Sequence, residues 1–148
     1  MSNTPVVDGL KRVLADSYAL ALKTQNYHWN VEGKHFPALH ALFEAQYDEV
    51  FAAIDDVAER IRALGEKAPA SFSLFDKTKT ISDGDASLDE MAMVKDLHAS
   101  HTMLLDVIKA AMEASKTADD EGTTDLYVGR IRAHDKAAWM LKSILKSA

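Results

Sequence analysis

The stretch HWNVEGKHFPALHALFEAQYDEVFAAIDDVAER, residues 28–60, decides how the rest of the chain is read. From Pro37 its apolar residues Leu39, Phe43, Val50, Ile54 and Val57 recur at helical spacing, and Ile61 and Leu64 continue the pattern. Proline in the first turn and Gly65 just past the end predict a helix over 37–64. A second set of residues sits off the apolar face: His40, Glu44, Asp55 and Glu59. A helix turns about 100° and rises about 1.5 Å per residue. With His40 as zero, Glu44 falls at about 40°, Asp55 at about 60° and Glu59 at about 100°, so all four share one stripe. Along the axis, however, His40 and Glu59 are roughly 28 Å apart, and Glu44 and Asp55 roughly 16 Å. Metal–ligand bonds are about 2 Å long, so one straight helix cannot bring these groups to one ion.

A second copy can. The midpoint of 40 and 59 is also the midpoint of 44 and 55. An antiparallel copy crossing between Glu49 and Val50 sets His40 opposite the copy's residue 59, and Glu44 opposite its residue 55. A two-fold dimer then makes two mixed sites, one at each end of the contact. Phe51 lies on the same stripe and would fill the space between them. Asp48 also falls there. His28 joins through the preceding turn: 28 and 40 are equidistant from position 34, beside Gly33, so a helical hairpin sets them side by side. One subunit thus offers His28 and His40, and the other Asp55 and Glu59. Two imidazoles with two carboxylates suit a borderline divalent ion such as Fe(II), and the carboxylates favour the harder Fe(III) left by oxidation.

The flanking segments share the helical period. Val6, Leu10, Val13, Leu14, Ala21 and Thr24 mark a first helix over about 6–30. After Gly65 comes EKAPASFSLFDKTKTISDGDAS, read as a crossover with a short helix near 71–77. A third long helix is expected over roughly 88–115, capped by Ser87 or Asp85, and a fourth over about 125–145. Two helices, a long crossover and two more predict an all-α, ferritin-like four-helix bundle, a single domain over 1–148.

Composition narrows the function. Apolar residues make up 47% and charged residues 27% of 148, ordinary for a globular chain. With no cysteine, disulfides and thiolate metal sites are excluded. The stretch 1–18 lacks a basic region followed by an apolar core, so no signal peptide is expected; nor is a membrane span, and the cytoplasm is the expected location. The net charge of -6 opposes binding to phosphate backbones.

HWNV, a second histidine twelve residues after the first, and DxxxE within AAIDDVAERIRALG resemble the Dps proteins, mini-ferritins named as DNA-binding proteins from starved cells. HDKAAWMLKSIL, with Trp139, is similar to that family's last helix, and the likeness spans Asp8 to Leu145. The resemblance implies a hollow homododecamer with ferroxidase sites at two-fold interfaces. It carries His28, His40, Asp55 and Glu59 over as site residues and places Trp29 beside the iron. It implies oxidation of Fe(II) by hydrogen peroxide in preference to dioxygen, with ferric mineral stored in the cavity. Many relatives have Asp where this chain has Glu44, so Glu44 is expected to bind a second, weaker iron directly or through water. The family lines a three-fold pore with acidic residues near TADDEGTTD, which points to Asp125 and then Glu121. Some relatives grip DNA, and location at the nucleoid would follow; here no Lys or Arg precedes Lys11, and only Lys142 and Lys146 lie near the other end. DNA binding is therefore expected to be weak or absent.

Of the remaining histidines, His98 and His101 in HASH are read as surface residues, His35 as part of the Gly33 turn, and His134 as structural or interfacial. Met91, Met93, Met103, Met112 and Met140 are read as core filler.

Overall fold

A computed structural model describes residues 3–146; the first two and last two residues of the expected domain lie outside the described residues. The described residues form five helices: α1 (Thr4–Asn30), α2 (Phe36–Ala63), α3 (Phe72–Thr78), α4 (Glu90–Thr117) and α5 (Glu121–Leu145). The helix ends follow local chemistry. Prolines stand in the first turns of α1 and α2, where the missing N–H costs no helical bond. After α2, Gly65 takes a φ of 96°, a left-handed conformation that suits glycine. Ser71 caps α3 by accepting from the Leu74 N–H.

Two expectations about helix starts need correction. Neither Ser87 nor Asp85 caps α4: Asp89 does, accepting from the Ala92 N–H at 2.8 Å. Asp85 instead accepts from the backbone and hydroxyl of Ser87, closing a small turn just before the helix. The last helix starts at Glu121 rather than 125, because Asp120 caps it through the Thr123 N–H and Arg60 from α2 holds that cap at 2.7 Å. Gly122 is the residue that leaves space for the guanidinium.

The helices pair as two antiparallel hairpins, α1 with α2 and α4 with α5, and α1 packs on α4. The crossover travels the length of the bundle, so α4 begins beside the α1–α2 turn. There the Glu90 carboxylate accepts from the His35 backbone N–H at 3.1 Å and pairs with its ring. Chain direction is therefore up, down, down, up, with the core formed by Leu10, Val13, Leu20, Phe43, Ile61, Leu97, Leu104 and Ile108 among others. Met93 and Met112 join this core as expected, whereas Met103 is exposed.

Three α1 side chains hold the crossover down. Buried Asp16 accepts from the Thr80 and Ile81 backbone N–H groups at 2.7 and 2.9 Å and from the Thr80 hydroxyl at 2.8 Å. Lys23 reaches Asp96, Ser82 and Ser100, and the Tyr27 hydroxyl donates to Asp96 while accepting from the Asp85 N–H. Ile81 is thereby fixed in the core. The α3 helix buries none of its residues, and its Phe72 and Leu74, like Leu22 and Trp29 on α1, stay exposed on this chain.

His101 is not at the surface as expected. It is buried against His134, with Nδ1 atoms 2.9 Å apart, because its partner lies on the neighbouring helix. Burial and the nearby Arg130 and His98 push the His101 imidazole down to about 4, and His134 is also held well below the usual histidine value. The unfolded chain therefore takes up protons near pH 6.5 that the folded chain refuses, so stability is full above that pH and falls as pH drops toward 4. Thermal unfolding from pH 7 to pH 4.5 is expected to show Tm falling, with a shallower fall in a His101→Leu, His134→Leu variant. Parallel profiles for the two proteins would contradict this assignment.

Candidate metal centre

His28 closes α1 and His40 opens α2, so the hairpin turn alone makes them neighbours. Their rings stack with centroids 3.8 Å apart. Each ring also bonds the other residue's backbone: His28 Nδ1 lies 2.6 Å from the His40 carbonyl, and His40 Nδ1 lies 2.7 Å from the His28 carbonyl. A carbonyl only accepts, so both Nδ1 atoms carry hydrogen. Both Nε2 atoms are then bare lone pairs on rings whose orientation is fixed, the arrangement of metal-binding histidines. Phe36 stacks on His40 and Tyr47 meets His28 edge-on. Neither carries a mark of this role in the sequence except that Tyr47 sits seven residues after His40 and so falls on the same stripe.

At the far end of α2, Asp55 and Glu59 are exposed on one flank. The adjacent Asp55 carboxyl, first through hydrogen bonding and then through its charge, holds the Glu59 carboxyl above its ordinary value. Two neighbouring carboxylates repel each other, and a cation would relieve that repulsion. Glu44 and Asp48 are exposed between the two ends. Phe51 is half-buried against Tyr18 and Tyr47, packing within its own chain. Among the described residues, no group of three or more His, Asp or Glu side chains converges on one point. One chain brings the imidazoles together and, separately, the carboxylates.

In the acidic turn before α5, Asp120 is occupied with Arg60 and Thr123, while Glu121 and Asp125 are exposed. His35 is engaged with Glu90.

A protein-family model described as the ferritin-like domain matches residues 7–148. DNA protection during starvation protein 2 of Bacillus anthracis is 35% identical over 143 residues, covering 97% of this chain and 98% of that protein. The chain belongs to the Dps branch of the ferritin-like family. The Dps structure from Thermosynechococcus elongatus superposes with a TM-score of 0.92 at 34% identity, covering 97% of this chain and 93% of that one. The structure from Vibrio cholerae O1, titled as a Dps protein in a broad superfamily of ferritin-like diiron-carboxylate proteins, superposes at 0.93 with 32% identity, covering 98% and 93%. For a Dps subunit, a long crossover with a short helix is the expected connection, and α3 is that helix. No helix among the described residues is long and apolar enough to cross a membrane.

Proposed function

We propose that this protein is a ferroxidase and iron store that removes Fe(II) and hydrogen peroxide together. The observation carrying this reading is the reciprocal ring-to-carbonyl bonding of His28, which is buried, and His40, which is partly so; it leaves both Nε2 atoms of the stacked rings free to bind a metal. In this reading residues 1–148 form one ferritin-like domain, and twelve copies enclose a cavity. At each two-fold contact, antiparallel α2 helices meet between Glu49 and Val50. Iron is bound as substrate by His28 and His40 of one subunit with Asp55 and Glu59 of the other, and Glu44 serves a second, weaker iron. Trp29, 63% exposed on the lone chain, would stand beside this site. Glu121 and Asp125 would line an acidic entry.

The chain's own residues then have defined tasks. Histidine nitrogens attract the ferrous ion, and the hard oxygens of Asp55 and Glu59 favour the ferric product. A bound cation would relieve the repulsion between the neighbouring Asp55 and Glu59 carboxylates. Two Fe(II) supply two electrons to one hydrogen peroxide. The O–O bond breaks, two protons are taken up and two waters leave, so no hydroxyl radical is released.

Anaerobic Fe(II) titration followed by peroxide tests this. Peroxide consumed in a ratio of one to two Fe(II), with ferric mineral kept in a large particle, is the expected result. Iron that precipitates freely at the rate seen without protein would refute it.

The alternative is physical shielding of DNA at the nucleoid, which the names of the relatives favour. Charge opposes it: the 148 residues carry a net charge of -6. A cytoplasmic protein with weak or no affinity for duplex DNA is the reading supported here. In a gel shift at physiological salt and neutral pH, linear duplex is expected to run free, and tight retention would reverse this conclusion.

A further inference from the structure

Glu49, Arg130, His134 and His101 form a hydrogen-bonded chain through the bundle that the iron chemistry does not use. The Glu49 carboxylate accepts from two guanidinium nitrogens of Arg130, at 2.6 and 2.9 Å. Arg130 also donates to His134 Nε2 at 3.0 Å. A guanidinium has no acceptor, so this histidine nitrogen is the bare one. Neutral His134 then carries its hydrogen on Nδ1 and donates it to His101 Nδ1, 2.9 Å away. His101 must therefore hold its own hydrogen on Nε2. That N–H is shielded from solvent and has no partner within the protein, in a residue only 1% exposed.

A second unpaired group lies in the same layer. Both amide atoms of Gln46 on α2 are buried without a partner, in a residue 8% exposed. The Glu49–Arg130 contact fixes the register of the antiparallel helices α2 and α5. Three residues back along α2 is about 4.5 Å and four residues on along α5 is about 6 Å, in the same direction, so Gln46 and His134 lie on the same side of that contact at a similar height in the bundle. His101 touches His134 at that level. Buried polar groups in native cores are almost always satisfied, commonly by a shared internal water.

We propose that one water molecule occupies the core between His101 and Gln46, accepting from the His101 Nε2–H and exchanging hydrogen bonds with the Gln46 amide. A metal ion does not fit there: His101 offers a hydrogen rather than a lone pair, and the Arg130 charge adjoins the histidine pair. The water closes a ring that starts and ends on α2, running through Glu49, Arg130, His134, His101 and Gln46. It ties α2 to the second hairpin and fixes the rotation of the helix that bears the candidate ligands. This site is independent of the iron reading.

A crystal structure of the assembled protein at about 1.2 Å resolution tests the proposal directly. An ordered water within hydrogen-bond reach of both His101 Nε2 and a Gln46 amide atom is expected. A direct contact between the amide and the ring, or no density between them, overturns the proposal. Thermal unfolding of Gln46→Leu, His101→Leu and the double variant supplies a second reading. Each single change is expected to lower Tm by about 4–8 °C, and the pair by clearly less than the sum. Strict additivity would show that the two groups share no partner, and it too overturns the proposal.

Discussion

Mixing two inactive variants is expected to restore iron oxidation. A His28→Ala, His40→Ala subunit lacks the imidazoles, and an Asp55→Ala, Glu59→Ala subunit lacks the carboxylates. Each alone should assemble and lose Fe(II)-dependent peroxide consumption by at least about 100-fold. In a mixed two-fold pair, one site combines both lesions and the other keeps all four ligands. Random co-assembly in equal amounts makes half the pairs mixed, with one good site of two, so about a quarter of the parent activity should return. Co-refolded particles of parent size that remain as inactive as either variant would sink the shared-site reading. Sites built within one chain predict that outcome, because neither variant could then rescue the other.

The second large effect concerns the crossover. Asp16→Ala removes the acceptor that holds Thr80 and Ile81. The Ile81 bond is buried and the Thr80 bonds partly so, which leaves polar groups unpaired at an expected cost of about 3 kcal/mol. For a chain of this size that corresponds to a Tm lower by roughly 6–12 °C. Asp16→Asn keeps one acceptor oxygen and should lose less. Proteolysis gives an independent measure: the alanine variant should be cut faster between residues 64 and 89. An unchanged Tm together with unchanged cleavage would mean that Asp16 does not hold the crossover.

The long helices were legible because their signals are local. Pro37, the recurring apolar face and Gly65 bound α2 to within a residue, and the common midpoint of its His and acidic pairs was visible as spacing alone. The helix starts were less legible where several capping residues crowd together. Asp85, Ser87 and Asp89 all can cap, and only the folded turn assigns Asp85 to Ser87 and leaves Asp89 for Ala92. The early start of α5 depends on Arg60, which approaches from another helix. The burial of His101 is hidden for the same reason. HASH carries no mark of burial, because the partner that makes burial tolerable is His134, thirty-three residues away. Among the candidate ligands, the closeness of His28 and His40 could be inferred from hairpin symmetry. Their shared tautomer could not, since it depends on where two backbone carbonyls point.

Leu22, Trp29, Phe72 and Leu74 remain uncovered after the core has closed. A newly synthesised chain can therefore finish its own folding and still present an adhesive flank to its surroundings. Its early survival becomes a matter of concentration: abundant copies meet their own kind quickly, whereas sparse ones linger long enough to stick elsewhere.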